Sequence, residues 1–275
     1  MMDILFFKFA SFLYLFGTLA YLAYVLFLKG VLSRIAAVIV SFGFASHTLA
    51  ILTRYVEAGY TPVTNLYESL SFFAWMIIGL LLMANFKYKI KVLGSFLTPI
   101  ALILMLFALA LPKEILPLAP VLKSFWHPFH VIFAFLGNAI FTLTFCFGVM
   151  YLIQEHQLKA KKMGAIAKRL PSLSLLDDLS YLSLKFGFPL LTLGIITGAV
   201  WAEYAWGRYW NWDPKETWSL ITWLLYAALL HQRLTVGWRG RKAAMMAIAG
   251  FLAVLFTFLG VNLLLPGLHT YVKWQ

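Results

Sequence analysis

Residues 92–111 read VLGSFLTPIALILMLFALAL, an apolar run without a charged side chain and of the length that a helix needs to cross a lipid bilayer. The rest of the 275-residue chain has the same character, because 63% of its residues are hydrophobic and only 12% are charged, against about half and about a quarter in soluble domains. This composition excludes a water-soluble enzyme and predicts an all-α, polytopic membrane protein with about eight transmembrane helices. The other predicted spans are 4–28, 35–53, 67–85, 129–153, 181–201, 215–234 and 243–265.

The 22 lysine and arginine residues predict how these helices are oriented. Fifteen of them fall in one alternate set of loops, and seven fall in the other set together with the termini. Positively charged loops stay in the cytoplasm, so both termini are predicted on the outer, periplasmic side of a bacterial inner membrane. The net charge of +12 is therefore explained by insertion into the lipid bilayer, and it requires no nucleic acid partner.

The chain contains no evident repeat or low-complexity tract, so we expect one integral membrane domain over residues 1–275. Its single cysteine, Cys146, lies inside an apolar run. This position excludes a disulfide framework and a Cys-x-x-Cys-His haem attachment site.

The Trp-rich segment, residues 201–218, reads WAEYAWGRYWNWDPKETW and is predicted to form a loop on the outer side. It contains five Trp and two Tyr residues. An aromatic belt at the membrane interface explains one or two such residues, whereas this density favours a binding surface for a planar apolar ligand. Asp213, Pro214 and Glu216 occupy the N-cap, N1 and N3 positions of the following helix, which predicts a capping box.

Histidine is costly inside a membrane and is a functional candidate there. His130 begins the fifth span and His269 follows the eighth, both on the predicted outer side, while His231 ends the seventh span at the inner end. Two neutral imidazoles on opposite faces of a macrocycle are the expected ligands of a low-spin haem iron. His127 lies one turn before His130 and is an alternative to it, whereas His47, in the second span, is either a further ligand or a structural residue.

The pattern Trp206-Gly-x-x-Trp210-x-Trp212-Asp213-Pro-x-Glu216 resembles the WWD signature of the haem-handling family that comprises CcsA/ResC, CcmC and CcmF. The resemblance extends to Trp218-Ser-Leu-Ile-Thr-Trp223 and to the segments around the three histidines, and the eight spans favour the CcsA branch. It implies a non-covalent site for haem b, with iron ligands at His130, His269 and His231, and with His47 as a further candidate. The remaining cofactor-binding residues implied by the resemblance are Trp206, Gly207, Trp210, Trp212, Asp213, Glu216 and Trp218.

The function implied by this resemblance is System II biogenesis of c-type cytochromes. The protein would move haem to the outer face of the membrane and present it, reduced and bis-His ligated, for attachment to apocytochrome c. It would work with a CcsB/ResB-type membrane protein as the membrane component of a cytochrome c synthase complex, and no catalytic residue is assigned. The alternative is a b-type haem-binding electron-transfer membrane subunit, in which paired histidines lie on facing helices within the bilayer.

Overall fold

The computed structural model describes residues 2–27, 29–161 and 164–268, and these residues form helices and loops without a β-strand. The all-α prediction is confirmed. The eight long helices are α1 (Met2–Phe27), α2 (Gly30–Ala58), α3 (Leu66–Tyr88), α4 (Gly94–Leu109), α5 (Trp126–Lys159), α6 (Leu173–Trp206), α7 (Pro214–His231) and α8 (Arg241–Leu255). A π-helical turn, Phe256–Gly260, continues α8 into the short helix α9 (Val261–Leu264).

Seven of these helical segments within the described ranges are long and apolar enough to cross a membrane. They include every long helix except α7, which begins with Pro-Lys-Glu-Thr and has most of its polar residues in its first half. The predicted span at 215–234 is helical, although it is not among these seven segments. Its α-helix ends at His231, and the chain continues as a π-helical turn over Gln232–Val236. The sixth predicted span, 181–201, is too short at both ends, because α6 covers Leu173–Trp206.

The chain divides into two compact units. Unit 1 consists of Met1–Leu118 and His156–Pro171, and unit 2 consists of Ala119–Glu155 and Ser172–Gln275. The expectation of one domain over the whole chain stays a prediction.

Unit 1 is held together by close helix packing at small residues. A Cβ atom on Gly43 of α2 would lie 2.8 Å from the ring of Tyr14 in α1. The side chains of Ser46 and Ser95 donate hydrogen bonds to backbone carbonyls of α1. Small residues and interhelical hydrogen bonds are typical of helix contacts in membranes, where burial of apolar surface provides little driving force.

An ion network is buried at the end of unit 1 where α1 and α3 begin and α2 ends. The Arg54 guanidinium donates to Asp3 Oδ2 at 2.9 Å and to Glu68 Oε1 at 2.7 Å. It also donates to the backbone carbonyls of Lys113 and Glu114. The side chains of the three ionic residues are at most 4% exposed, so Arg54 joins three helices and the loop after α4.

Unit 2 surrounds a stacked aromatic pair. The rings of Phe141 in α5 and Tyr226 in α7 are 3.5 Å apart and nearly parallel, and Phe251 belongs to the same buried cluster. Gly137 lets α5 approach the backbone of Leu191 in α6, where a Cβ would lie 2.9 Å from the Leu191 nitrogen. This packing fixes the positions of the helices that carry His130 and the Trp-rich segment.

Replacement of Arg54 by Met is expected to lower the free energy of unfolding by about 3–5 kcal/mol, because it removes the guanidinium that two buried carboxylates share. Thermal or denaturant unfolding in detergent measures the change. Arg241→Met is the matched control: it removes an ion pair with Glu155 in which the Arg241 side chain is 59% exposed. This control should cost less than about 1 kcal/mol. Equal losses in the two variants would contradict a structural role for the buried network.

Candidate functional site

His130 is fixed by a hydrogen bond to the neighbouring helix. Its Nδ1 atom donates to the backbone carbonyl of Gly194 in α6 at 2.8 Å. A carbonyl oxygen only accepts, so the neutral imidazole carries its proton on Nδ1 and its lone pair on Nε2. Metal-ligating histidines commonly have this arrangement, in which a backbone acceptor on one ring nitrogen determines which tautomer presents the other.

Two glycines in α6, one turn apart, make room for this ring. A Cβ atom on Gly198 would lie 2.6 Å from His130 Nδ1, and one on Gly194 would lie 3.0 Å from the backbone of Ala134. Larger residues would therefore displace the imidazole or separate α5 from α6. The sequence pattern assigned neither glycine to the site, although the Gly-x-x-x-Gly spacing is typical of close helix contacts in membranes.

Trp201 packs against both candidate histidines of α5. Its ring centroid is 5.8 Å from that of His130 with nearly parallel planes, and 5.1 Å from that of His127. Its indole N–H donates to the Val121 carbonyl, and the Trp206 ring meets it edge-on at 4.9 Å. Trp201 was counted in the Trp-rich segment but was not predicted as a site residue. Trp201 lies seven residues after Gly194 and three after Gly198, which places all three residues on one face of α6.

The first part of the Trp-rich segment is helical, which differs from the prediction of a loop. The final turn of α6 extends to Trp206, and Gly207 ends it with a left-handed φ of 70° and an N–H bonded to the Glu203 carbonyl. Glycine adopts this conformation without steric cost, so the predicted importance of Gly207 has a backbone reason. The irregular part of the segment is limited to residues 207–213.

The predicted capping box at the start of α7 is confirmed. Asp213 Oδ2 accepts from the Lys215 N–H at 3.1 Å, and Glu216 Oε2 accepts from the Asp213 N–H at 3.2 Å. The same Glu216 oxygen accepts from the Asn211 N–H at 2.8 Å. Two buried carboxylates thus hold the loop by its backbone.

Asp213 also connects the loop to a distant part of unit 2. Its Oδ1 atom accepts from the backbone N–H of Leu268 at 2.6 Å. A Cβ on Gly267 would lie 2.5 Å from the same oxygen, so the contact requires glycine there. Leu268 directly precedes His269, the predicted iron ligand, which lies outside the described residues.

Trp212 projects from the loop in an unusual backbone conformation. Its φ is 55°, a left-handed value that is unfavourable for a bulky residue, and the residue is 69% exposed. The neighbouring Trp210 ring meets it edge-on. Trp210 Nε1 and Asn211 Nδ2 are buried donors without a hydrogen-bond partner among the described residues. Strained residues and unsatisfied donors concentrate at ligand sites.

The last predicted Trp of the segment, Trp218, lies in α7 and packs on Phe256 with ring centroids 4.2 Å apart. Phe256 begins the π-helical turn after α8. Trp218 is therefore half-buried and packs α7 against the end of α8, whereas the prediction had it among the loop residues.

The two remaining candidate ligands differ in their surroundings. His231 ends α7 and is exposed, about 25 Å along the helix from Pro214 at 1.5 Å per residue. His47 is fully buried in unit 1, where Tyr14 Oη lies 3.3 Å from Nδ1 and Ser71 Oγ lies 2.9 Å from Nε2. Both ring nitrogens of His47 are thus engaged, which favours the structural alternative for this residue.

A family model described as cytochrome C assembly protein matches residues 63–269. The chain belongs to this cytochrome c assembly family. The match confirms the resemblance inferred from the sequence, and it includes every predicted site residue except His47.

Individual members of the assembly family are similar over most of the chain. The chain is 42% identical over 238 residues to the cytochrome c biogenesis protein CcsA of Guillardia theta, covering 80% of this chain and 79% of that protein. It is 42% identical over 266 residues to CcsA of Microcystis aeruginosa (strain NIES-843 / IAM M-2473), covering 79% and 81%. It is 44% identical over 227 residues to CcsA of Chlamydomonas reinhardtii, covering 80% and 63%.

A solved structure has the same fold as this assembly-family chain. The Cytochrome c Heme Lyase CcmF matches with a TM-score of 0.71 at 19% identity. The match covers 94% of this chain but only 46% of the other, so this chain spans about half of that protein. At this identity the likeness concerns the fold alone.

Replacement of Asp213 by Ser should separate its two roles in this assembly-family chain. Ser is a good N-cap, but its side chain is too short to reach Leu268 as well. A hydrogen bond to a charged group contributes about 1.5–3 kcal/mol, so exchange of the Leu268 amide should accelerate about tenfold or more while the Lys215 amide stays protected. Hydrogen–deuterium exchange measures both amides. Asp213→Ala, as the control, should accelerate both, and unchanged Leu268 exchange in Asp213→Ser would contradict the assignment.

Proposed function

We propose that this protein acts in the biogenesis of c-type cytochromes by carrying haem b to the outer face of a membrane and presenting it to apocytochrome c. The observation that carries the proposal is the His130 imidazole, held by the Gly194 carbonyl in the tautomer that has its lone pair on Nε2. Membership of the cytochrome c assembly family supports it. That membership also favours biogenesis over the alternative of an electron-transfer subunit.

The residues around His130 suit a flat, carboxylate-bearing substrate such as haem. The rings of Trp201 and Trp206 form an aromatic wall beside the imidazole, and Trp212 supplies an exposed ring at the loop. The unsatisfied N–H groups of Trp210 and Asn211 could donate hydrogen bonds to a propionate carboxylate. We assign Nε2 of His130 and the His269 side chain as the two axial ligands of the bound haem.

The remaining predicted residues contribute by holding this surface in place. Gly207 ends α6, and Asp213 and Glu216 hold the loop backbone, so these three residues orient the indoles. Trp218 packs α7 against Phe256. We therefore assign them a positioning role in the haem site.

The contacts of Arg54 exclude it as a cation for the haem propionates. Its guanidinium is buried and committed to two carboxylates and two carbonyls of unit 1. Arg208, in contrast, is exposed within the Trp-rich segment. We assign Arg208 as the cation for a propionate, since a guanidinium fork suits a carboxylate.

Bis-His ligation explains how haem would be presented without side reactions. With both axial positions occupied by imidazoles, dioxygen has little access to the reduced iron. The aromatic wall would hold the flat haem ring in place for the incoming cysteines, and orientation of this kind lowers the barrier of a bimolecular step. Each thioether forms by addition of a cysteine S–H across a vinyl double bond, so no oxidant is consumed.

We propose that haem binds first at His231, which lies about 25 Å along α7 from Pro214. A CcsB/ResB-type membrane protein would supply the second ligand there and complete the cytochrome c synthase. The 15 to 7 distribution of positive charges supports an orientation with the Trp-rich segment in the periplasm of a bacterium and both termini on that side.

Replacement of His130 by Ala tests the proposal directly. The full chain should be purified together with its co-purifying haem, and the reduced absorption spectrum recorded. We expect His130→Ala to lose the six-coordinate spectrum and most of the haem, and added imidazole to restore both. His156→Ala, which removes an exposed histidine at the end of α5, should leave the spectrum unchanged. An unchanged spectrum and unchanged cytochrome c maturation in His130→Ala would refute the outer site.

Gly198→Ala tests the same site without removing the imidazole. The added methyl group would lie 2.6 Å from His130 Nδ1 and displace the imidazole, so haem affinity should fall by about tenfold, as is usual when the support of a ligand is lost. Gly30→Ala is the matched control, because a Cβ on Gly30 meets no atom within 4 Å. Equal haem affinity in both glycine variants would contradict the support role of α6.

Trp212→Asn should change stability and haem binding in opposite directions. Asn tolerates the left-handed conformation, so the free energy of unfolding should rise by about 0.5–1 kcal/mol, while the loss of the exposed ring lowers haem affinity. Thermal unfolding and haem titration measure the two effects. Tyr209→Asn, in the same loop at an exposed residue outside the left-handed region, should give no stability gain. Normal haem binding by the Trp212→Asn protein would contradict the assignment of this indole to the haem site.

A further inference from the structure

The chain changes its helical form directly after His231. The last α-helical residue of α7 is His231, and residues Gln232–Val236 form a π-helical turn that ends on Gly237 with φ 73°. The hydroxyl of Thr235 donates to the His231 carbonyl at 2.8 Å. π-Helical turns are rare and occur frequently at functional sites. Some other contact must therefore stabilise this one.

A bidentate ion pair provides that contact. Arg233, the second residue of the turn, donates from Nη1 to Asp177 Oδ1 at 3.0 Å and from Nη2 to Asp177 Oδ2 at 2.7 Å. Nη2 also lies 3.3 Å from the Asp177 carbonyl, and the guanidinium is 4.7 Å from the ring centroid of Tyr181. The side chains of the pair are only 5% and 9% exposed. Two parallel hydrogen bonds fix the direction of the guanidinium as well as its position.

The same carboxylate also accepts a hydrogen bond from the chain that follows the π-helical turn. Asp177 Oδ1 accepts from the backbone N–H of Gly240 at 2.9 Å. Gly240 has φ 66° and ψ −135°, and a Cβ there would lie 2.6 Å from Tyr151 Oη. One side chain on α6 thus fixes both Arg233 and Gly240, between which the chain reverses from α7 into α8.

We propose that the Asp177–Arg233 pair is a positioning element for His231: it sets the rotation of the last turn of α7 and thereby the direction of an exposed imidazole. This inference rests on the proposed function, in which His231 ligates haem. A ligand must be held within about 0.5 Å of its working geometry, and a histidine at the end of a helix has no following α-helical turn to hold it. The ion pair replaces the support that the missing turn would give.

The test uses the full chain in a His130→Ala background, so that the outer site does not contribute, and titrates it with haemin reduced by dithionite. Arg233→Lys keeps the positive charge but loses the pair of parallel hydrogen bonds to Asp177. Asp177→Asn keeps an acceptor for the Gly240 N–H but removes the negative charge. Both should weaken haem binding about tenfold and shift the absorption spectrum toward that of His231→Ala. Circular dichroism checks that each variant has the helical content of its parent.

Arg241→Lys is the matched control, because it alters the exposed pair between Arg241 and Glu155. It should retain the affinity and spectrum of the parent. Parent-like haem binding in both Arg233→Lys and Asp177→Asn, with binding lost in His231→Ala, would overturn the inference while leaving the haem site at His231 intact. A loss in Arg241→Lys as large as in Arg233→Lys would also overturn it. Unchanged binding in His231→Ala would refute the inner haem site itself, and the inference with it.

Discussion

The hydrogen bond from His130 Nδ1 to the Gly194 carbonyl is the constraint on which the functional account depends. It joins α5 to α6, determines which imidazole nitrogen carries the lone pair, and is made in the narrow space left by Gly194 and Gly198. The Trp201 ring, on the same face of α6 as the two glycines, lies nearly parallel to the imidazole. Two glycines and one indole therefore hold the imidazole of a histidine near the start of α5 in one orientation.

The Trp-rich segment is organised around two carboxylates that bind backbone rather than substrate. Glu216 holds the loop residues Asn211 and Asp213, while Asp213 caps α7 and reaches Leu268, 55 residues away along the chain. The strain at Trp212 persists because these contacts hold its neighbours on both sides. The acidic residues of the motif thus support the aromatic surface, as the capping box in the sequence had indicated.

The sequence predicted the elements whose signals are local. Long apolar runs located the helices, and Asp213-Pro-x-Glu216 located the start of α7. The ends of α6 were missed because Asp177 and Glu203 resemble loop residues, although Asp177 is buried against Arg233. The roles of Gly194, Gly198 and Trp201 were also missed, because a glycine or an indole in an apolar run has the same pattern whether it packs the core or supports a ligand. The alternatives for His47 were separated only by its contacts with Tyr14 and Ser71.

Nitrogen-15 NMR of the haem-free protein, labelled at histidine and compared with His130→Gln to assign the signal, tests the central claim most directly. In the neutral His130 ring we expect the proton to be bonded to Nδ1, with a one-bond N–H coupling there and none at Nε2. A proton on Nε2 of the neutral ring would mean that the Gly194 carbonyl does not hold this imidazole, and would contradict the proposed ligand geometry.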